Sequence, residues 1–200
     1  MQTNDSEKKK IIIDAALKIF SKKGYTRARM TDIAKEAGMS YGSLYHYYKS
    51  KDSIFETIVE DWWAKLFSEL VSLKGSKLPI KNNLEKFIRF LLNAYATNPH
   101  QVEIYVTEVS RGFVYHSEHH VRENFLRVFS LCEQLFSVSQ DRGELRNDIS
   151  THHLANIFLG SIDSFMSNIV FGKVVVKEDQ GERIVKSILD VFLHGAMGQR

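Results

Sequence analysis

Apolar residues recur at spacings of three and four along most of the chain, the period of an amphipathic helix. Ile12, Ala16, Ile19 and Phe20 form the first stripe, with Ser6 as its cap and Gly24 as its stop. A short second helix is predicted over about 30–37, where Ile33 and Ala37 lie one turn apart, ending at Gly38. Ser40 caps a third over about 41–48, with Leu44 and Tyr48 as its inward pair. Ser50 caps a long fourth, in which Ile54, Phe55, Ile58, Val59, Trp62 and Leu66 keep helical spacing to about Leu73. LKGSKLP (73–79) is the clearest break. Beyond it, helices are predicted over about 80–97, 100–110, 118–139, 149–170 and 177–196. VVV at 174–176 has strand propensity but is too short and isolated to pair. The predicted fold class is all-α, with about nine helices.

The third helix raises the question of function. MSYGSLYHYYKSK (39–51) holds four of the chain's eight tyrosines. A helix this short cannot bury every face, so these four cannot all be core. The second helix, the AGMS turn and the third helix have the spacing of a helix-turn-helix. With about 100° between neighbours, an inward Leu44 sets Gly42 and His46 nearly opposite, Ser43 to one side, and Tyr41 and Tyr45 on the flanks. Gly42 allows close approach to a surface, and Ser43 and His46 are short groups able to reach base edges in a major groove. The hydroxyls of Tyr45 and Tyr47 reach phosphates. Lys51 falls in the first turn of the fourth helix, where free amides and its ammonium can jointly hold a phosphate.

Charge divides the chain in the same way. Residues 1–51 hold eleven Lys or Arg against five Asp or Glu, whereas 52–200 hold sixteen against nineteen. The net charge of +3 thus conceals a basic module joined to a slightly acidic one, and the first is the end suited to a polyanion. No apolar run approaches the roughly 18 residues needed to cross a membrane, and Asp14 and Lys18 interrupt IIIDAALKIF too early for a signal-peptide core. Cytoplasmic localisation is expected. The single cysteine, Cys132, excludes an internal disulfide and a multi-cysteine zinc site. There is no Gly-rich phosphate loop after a strand, no nucleophile elbow and no paired acids at a useful spacing, so neither enzyme activity nor a cofactor is expected.

Four blocks carry a family resemblance: a first helix ending in Phe20-x-x-Lys23-Gly24-Tyr25, then Met30-Thr-Asp-Ile33-Ala34-x-x-Ala37-Gly38-Met-Ser40, then Gly42-Ser-Leu44-Tyr45-His-Tyr-Tyr48-x-x-Lys51, then Ile54-Phe55. On these, residues 9–55 resemble the N-terminal domain of the TetR family of bacterial transcriptional repressors. The resemblance implies a helix-turn-helix DNA-binding domain over 1–52 and a helical effector-binding and dimerisation domain over 53–200. It implies a homodimer that binds a double-stranded palindromic operator and is released by a small, mostly apolar effector. It places Tyr41, Gly42, Ser43 and His46 against bases, and Tyr45, Tyr47 and Lys51 against the phosphate backbone. One departure stands out. The family usually carries Thr-Thr or Thr-Ser two residues ahead of its Asp-Ile-Ala run, where this chain has Ala28 and Arg29. The lost cap costs about 1 kcal/mol unless Thr31 takes it over. Arg29 offers a guanidinium to phosphate instead, and with Thr31 it completes the candidate DNA-binding set.

In the second part, Trp62, Phe87, Phe90, Tyr105, Phe113, Phe125 and Phe129 spread large apolar side chains through the middle helices, as packed core or as the lining of a cavity for a mostly apolar effector. The segment 107–125 is similar to the corresponding region of family members that sense fatty acyl-CoA or related lipids. That implies a fatty acid or acyl-CoA effector, with Arg111 for its acidic headgroup. His116, His119, His120 and Glu123 have helical spacing for a metal, but a closed ligand set is wanting and no metal is expected. The last two helices carry small residues, Gly160, Ser161, Ser164 and Ser167, beside bulky ones on more than one face. The resemblance implies that these helices pair with those of a second copy, through Phe158, Ser161, Phe165, Ile184, Ile188 and Phe192. The competing function is a helical carrier of small molecules, acyl-CoA or lipid without specific DNA recognition.

Overall fold

The computed structural model describes residues 2–109 and 118–196. Among these the chain is all-α: α1 (Gln2–Lys23), α2 (Met30–Glu36), α3 (Tyr41–Tyr47), α4 (Lys51–Lys74), α5 (Ile80–Thr97), α6 (Pro99–Ile104), α7 (Glu118–Asp141), α8 (Thr151–Phe171) and α9 (Glu178–Ala196). Ser6, expected as the first cap, lies inside α1. The helix expected over 100–110 is not uniform, because α6 ends at Ile104 and a π-helical turn follows at Tyr105–Val109. Residues 174–176 form no strand. The chain divides into two compact units: the described residues within Met1–Ala64 and Asn98–His116, and those within Lys65–Thr97 and Ser117–Arg200.

In the first unit, Ile12, Ala16 and Phe20 of α1 are buried, as are Ile33 and Ala34 of α2, Leu44 of α3, and Ile54, Phe55 and Ile58 of α4. The turns between them have local causes. Gly38 takes φ +64, a conformation a Cβ resists. It closes α2 with paired bonds from Met39 N–H to the Ala34 carbonyl (2.9 Å) and from its own N–H to the Lys35 carbonyl (3.2 Å). The Ser40 hydroxyl accepts from Ser43 N–H at 3.1 Å and starts α3. Ser50 starts α4 in the same way, accepting from Ser53 N–H at 3.1 Å. Phe20, Tyr25 and Phe55 pack as a trio of rings, Tyr25 and Phe55 with centroids 4.7 Å apart. α6 is tied to α1 by the Ser21 hydroxyl, which donates to Glu103 and lies 3.0 Å from His100 Nδ1. It is tied to α4 by Gln101 Nε2, which donates to Asp61 at 3.0 Å.

The second unit is built on four phenylalanines: Phe87 of α5, Phe136 of α7, Phe158 of α8 and Phe192 of α9. Phe158 touches the other three at centroid distances of 5.3–6.2 Å. The cluster accounts for the packing of α7 on α8 and of α8 and α5 on α9. One turn before Phe136 lies Cys132, whose thiol is pushed up to about 12, first by burial and second by the nearby Glu133. Arg89 forks between Glu85 of its own helix and Glu182 of α9. α8, at 21 residues, does meet the length and composition of a membrane-spanning helix, contrary to expectation. Its apolar stripe of Leu154, Ala155, Phe158, Ile162, Met166, Ile169 and Val170 is nevertheless buried against its own unit.

Phe136 is fully buried, with the rings of Phe158 and Phe192 against it. Phe136→Ala is expected to lower the unfolding free energy by about 3–5 kcal/mol, read as a lower urea midpoint at unchanged slope. A loss under about 1 kcal/mol would place the packing energy elsewhere.

Candidate nucleic-acid interface

α3 is anchored from one side. Leu44 is fully buried, and Tyr48, just past the helix end, is buried too. On the outer side Tyr41 and Tyr45 are 50% and 46% exposed, with their rings stacked 6.2 Å apart. A Cβ at Gly42 would meet nothing within 4 Å, so the helix surface there is open. His46 is exposed and stands edge-on to Tyr47 at 5.3 Å, and Ser43 is half-buried. The Tyr47 hydroxyl donates to Asp5 at 3.0 Å, linking α3 to the start of α1.

Arg29 occupies the N-cap of α2 with extended backbone, φ −123 and ψ 151. A guanidinium has no acceptor for the free amides of a helix start. Asp32 supplies what remains of the cap, its carboxylate accepting from Arg29 N–H at 3.1 Å. Lys23 donates to the same carboxylate at 2.7 Å, and this bond holds the Asp32 carboxyl below its usual range. Asp32, rather than Thr31, is thus the compensating residue, and the side chains of Arg29 and Thr31 are exposed beside it.

Lys51 is held within the chain. Its Nζ donates to the carbonyls of Tyr25 (2.9 Å), Thr26 (3.2 Å) and Ala28 (3.3 Å) and lies 4.4 Å above the Tyr25 ring. An ammonium has three protons, and in the free chain three carbonyls take them, so a phosphate would have to displace one. The cation missed from sequence is Lys49. It is exposed, sits 4.7 Å over the Tyr45 ring and donates to the Tyr45 carbonyl at 3.0 Å. Its signal was its spacing, four residues after Tyr45 and hence toward the same face.

The remaining candidates disperse. Trp62 and Tyr105 pack within the first unit at 5.5 Å, with Trp63 against the same tyrosine at 5.3 Å. Phe87 belongs to the buried ring cluster, and Phe90 stacks on it at 6.5 Å. Phe125 and Phe129 pair at 4.7 Å on α7, with Phe125 half-exposed. Arg111, Phe113 and His116 lie outside the described residues. Phe158, Ile188 and Phe192, expected on an outer face, are buried in the chain's own core, because the ring cluster fixes the inward stripes of α8 and α9. Ser161, Phe165 and Ile184 sit at the margin of those stripes. The strongly exposed apolar residues are their neighbours, Ile157 at 55% and Val191 at 78%, with Phe171 also exposed.

Residues 12–58 match the family described as bacterial regulatory proteins, tetR family. The chain is 25% identical over 158 residues to the HTH-type transcriptional repressor NicS of Pseudomonas putida, covering 78% of this chain and 74% of that protein. Among solved structures, the MbdR regulator from Azoarcus sp. CIB has a TM-score of 0.78 at 24% identity, covering 96% of this chain and 100% of that one. The transcriptional regulator FadR from Bacillus subtilis, solved in complex with stearoyl-CoA, has a TM-score of 0.71 at 19% identity, covering 92% and 97%. The α2–turn–α3 geometry and these matches agree. Residues 12–58 are thus a helix-turn-helix domain of the tetR family, and the whole chain is similar to TetR-like transcriptional regulators and shares their all-α fold.

Proposed function

We propose that this chain is a cytoplasmic, ligand-responsive repressor that binds a palindromic operator as a homodimer and leaves it when a small, mostly apolar effector binds. The observation that carries the reading is the outer face of α3, where Tyr41, Tyr45 and His46 surround the open surface at Gly42. A surface that only gathers phosphates has no need of such a face, whereas base readout needs short polar groups and close approach. In this reading Gly42 lets the helix sit low in the major groove, Ser43 and His46 bond base edges, and Tyr41 packs on bases. Tyr45, Arg29, Thr31 and Lys49 meet phosphates, and Tyr47 and Lys51 join them by exchanging their bonds to Asp5 and to the main-chain carbonyls.

Reading a palindrome requires a two-fold pair. We assign the partner copy to the exposed flank of Ile157, Phe165 and Phe171 on α8 and Val191 on α9, where Gly160, Ser161 and Ser164 permit close approach. The effector we infer is a fatty acid or acyl-CoA, a class supported by the stearoyl-CoA complex of the FadR relative. Phe90, Phe125 and Phe129 are its candidate aromatic contacts. α4 is one uninterrupted helix from Lys51 to Lys74, and a shift along it would alter the spacing of the two reading heads.

Selection from randomised duplex DNA, followed by anisotropy at two salt concentrations, is expected to yield specific binding about a thousandfold or more tighter than non-specific binding. His46→Ala with Tyr45→Phe is expected to remove most of that ratio. Weak, salt-driven binding unchanged by the two substitutions would favour the lipid-carrier function instead. Stearoyl-CoA is expected to weaken operator binding about 5–150-fold, and operator to weaken stearoyl-CoA binding by the same factor. An affinity for stearoyl-CoA indifferent to operator would break the coupling. Ile157→Glu with Val191→Glu is expected to turn a dimer into a monomer in sedimentation velocity, with helical circular dichroism intact. A dimer that persists would remove this flank from the assignment.

A further inference from the structure

A carboxylate stands in the first unit where a DNA-reading surface has least use for one. Residues 1–51 carry five acidic side chains. Two of them pair with lysines of the same unit, Asp32 with Lys23 at 2.7 Å and Glu36 with Lys18 at 3.4 Å. Asp5 is engaged differently. It lies in the first turn of α1, and its Oδ1 accepts from the Tyr47 hydroxyl at 3.0 Å, across 42 residues of sequence. Tyr47 is the last residue of α3, and its ring stands edge-on to that of His46 at 5.3 Å. An acid in a first turn suits the positive end of its own helix, but that does not account for a bond to α3. Burial does not account for it either, because the bond lies at the exposed surface.

We propose that Asp5 is a brake on DNA affinity: it competes with a backbone phosphate for the one proton of the Tyr47 hydroxyl, and so holds the grip of the domain below what its outer face can deliver. The proposal rests on the DNA-reading function above and deepens it. A phenol has a single proton to give. A phosphodiester at neutral pH has none and can only accept, so its contact with Tyr47 requires the bond to Asp5 to break. The exchange replaces one charge-assisted hydrogen bond by another and gains little. It also leaves the freed carboxylate beside a phosphate of like charge. The brake acts on phosphate contact, which operator and random DNA share. It therefore lowers both affinities and leaves the ratio between them in place. Such a limit shortens the residence of the domain on every sequence.

The test is a double-substitution cycle read by anisotropy on two probes at one salt concentration: the operator recovered by selection with the unaltered chain, and a random duplex. Helical content and melting temperature are measured for each variant, and binding below the transition. Asp5→Ala is expected to tighten binding to both probes by about threefold to tenfold. Asp5→Asn is expected to tighten it less, since the amide oxygen still accepts from the hydroxyl but without the charge. Tyr47→Phe is expected to loosen binding, and in that background most of the gain from Asp5→Ala is expected to vanish. If the full gain survives beside Tyr47→Phe, Asp5 acts by charge alone and the competition is overturned. Looser binding by Asp5→Ala overturns it too, since the carboxylate would then be a support that aims Tyr47. So does an unchanged affinity, with or without a lower melting temperature, which leaves Asp5 to serve α1 only. If the unaltered chain enriches no DNA sequence, it is the DNA-reading function that falls. The cycle on the random duplex still decides the role of Asp5 in that case, because phosphate contacts supply the affinity there.

Discussion

A helix of seven residues forms too few internal hydrogen bonds to persist in water, so α3 exists only because its surroundings hold it. Leu44 is driven into the core of the first unit, Tyr48 is buried behind it, the Ser40 hydroxyl fixes its first turn, and Gly38 sets the angle of its approach. All of this anchoring acts from one side and from the two ends. The opposite side has no structural duty. Tyr41, Gly42, Tyr45 and His46 stand there exposed, the three rings in contact with side chains of this same face rather than with the core.

The second unit solves a different problem with longer helices. α5, α7, α8 and α9 each commit one phenylalanine to a common cluster, and that cluster determines how each helix is rotated about its axis. Once Phe158 and Phe192 are turned inward, Ile157 and Val191 must face away, because neighbours on a helix diverge by about 100°. The apolar excess of α8 is thus divided between a stripe that closes its own unit and a flank that does not.

Element boundaries were legible in the sequence wherever a cap or a stop carried them. Gly24, Gly38, Ser40 and Ser50 mark ends that the structure places within a residue or two of expectation. The change to π-helical geometry at Tyr105 had no such mark, since the apolar spacing runs through it unbroken. The faces of α8 and α9 were only half legible. Periodicity finds an apolar stripe, but which of two adjoining stripes is inward depends on partners distant in sequence, and Phe158 and Phe192 were read as outward for that reason. The partners of Lys51 were illegible for another reason. Its acceptors are main-chain carbonyls of a turn 23 to 26 residues earlier, and a carbonyl has no letter in the sequence. In the same way Asp32 could take over a cap from Arg29 because a carboxylate three residues on can reach back to a main-chain N–H.

The sole cysteine lies within the second unit, 1% exposed and one turn from the ring cluster. A thiol held near pKa 12 presents almost no thiolate at neutral pH, and burial denies access to the little there is. Oxidants and alkylating reagents therefore have no purchase on the native chain, and their reaction with it proceeds only as fast as α7 lifts from its neighbours. Cys132 is a clock for the opening of that core, already installed, and silent for as long as the four phenylalanines stay together.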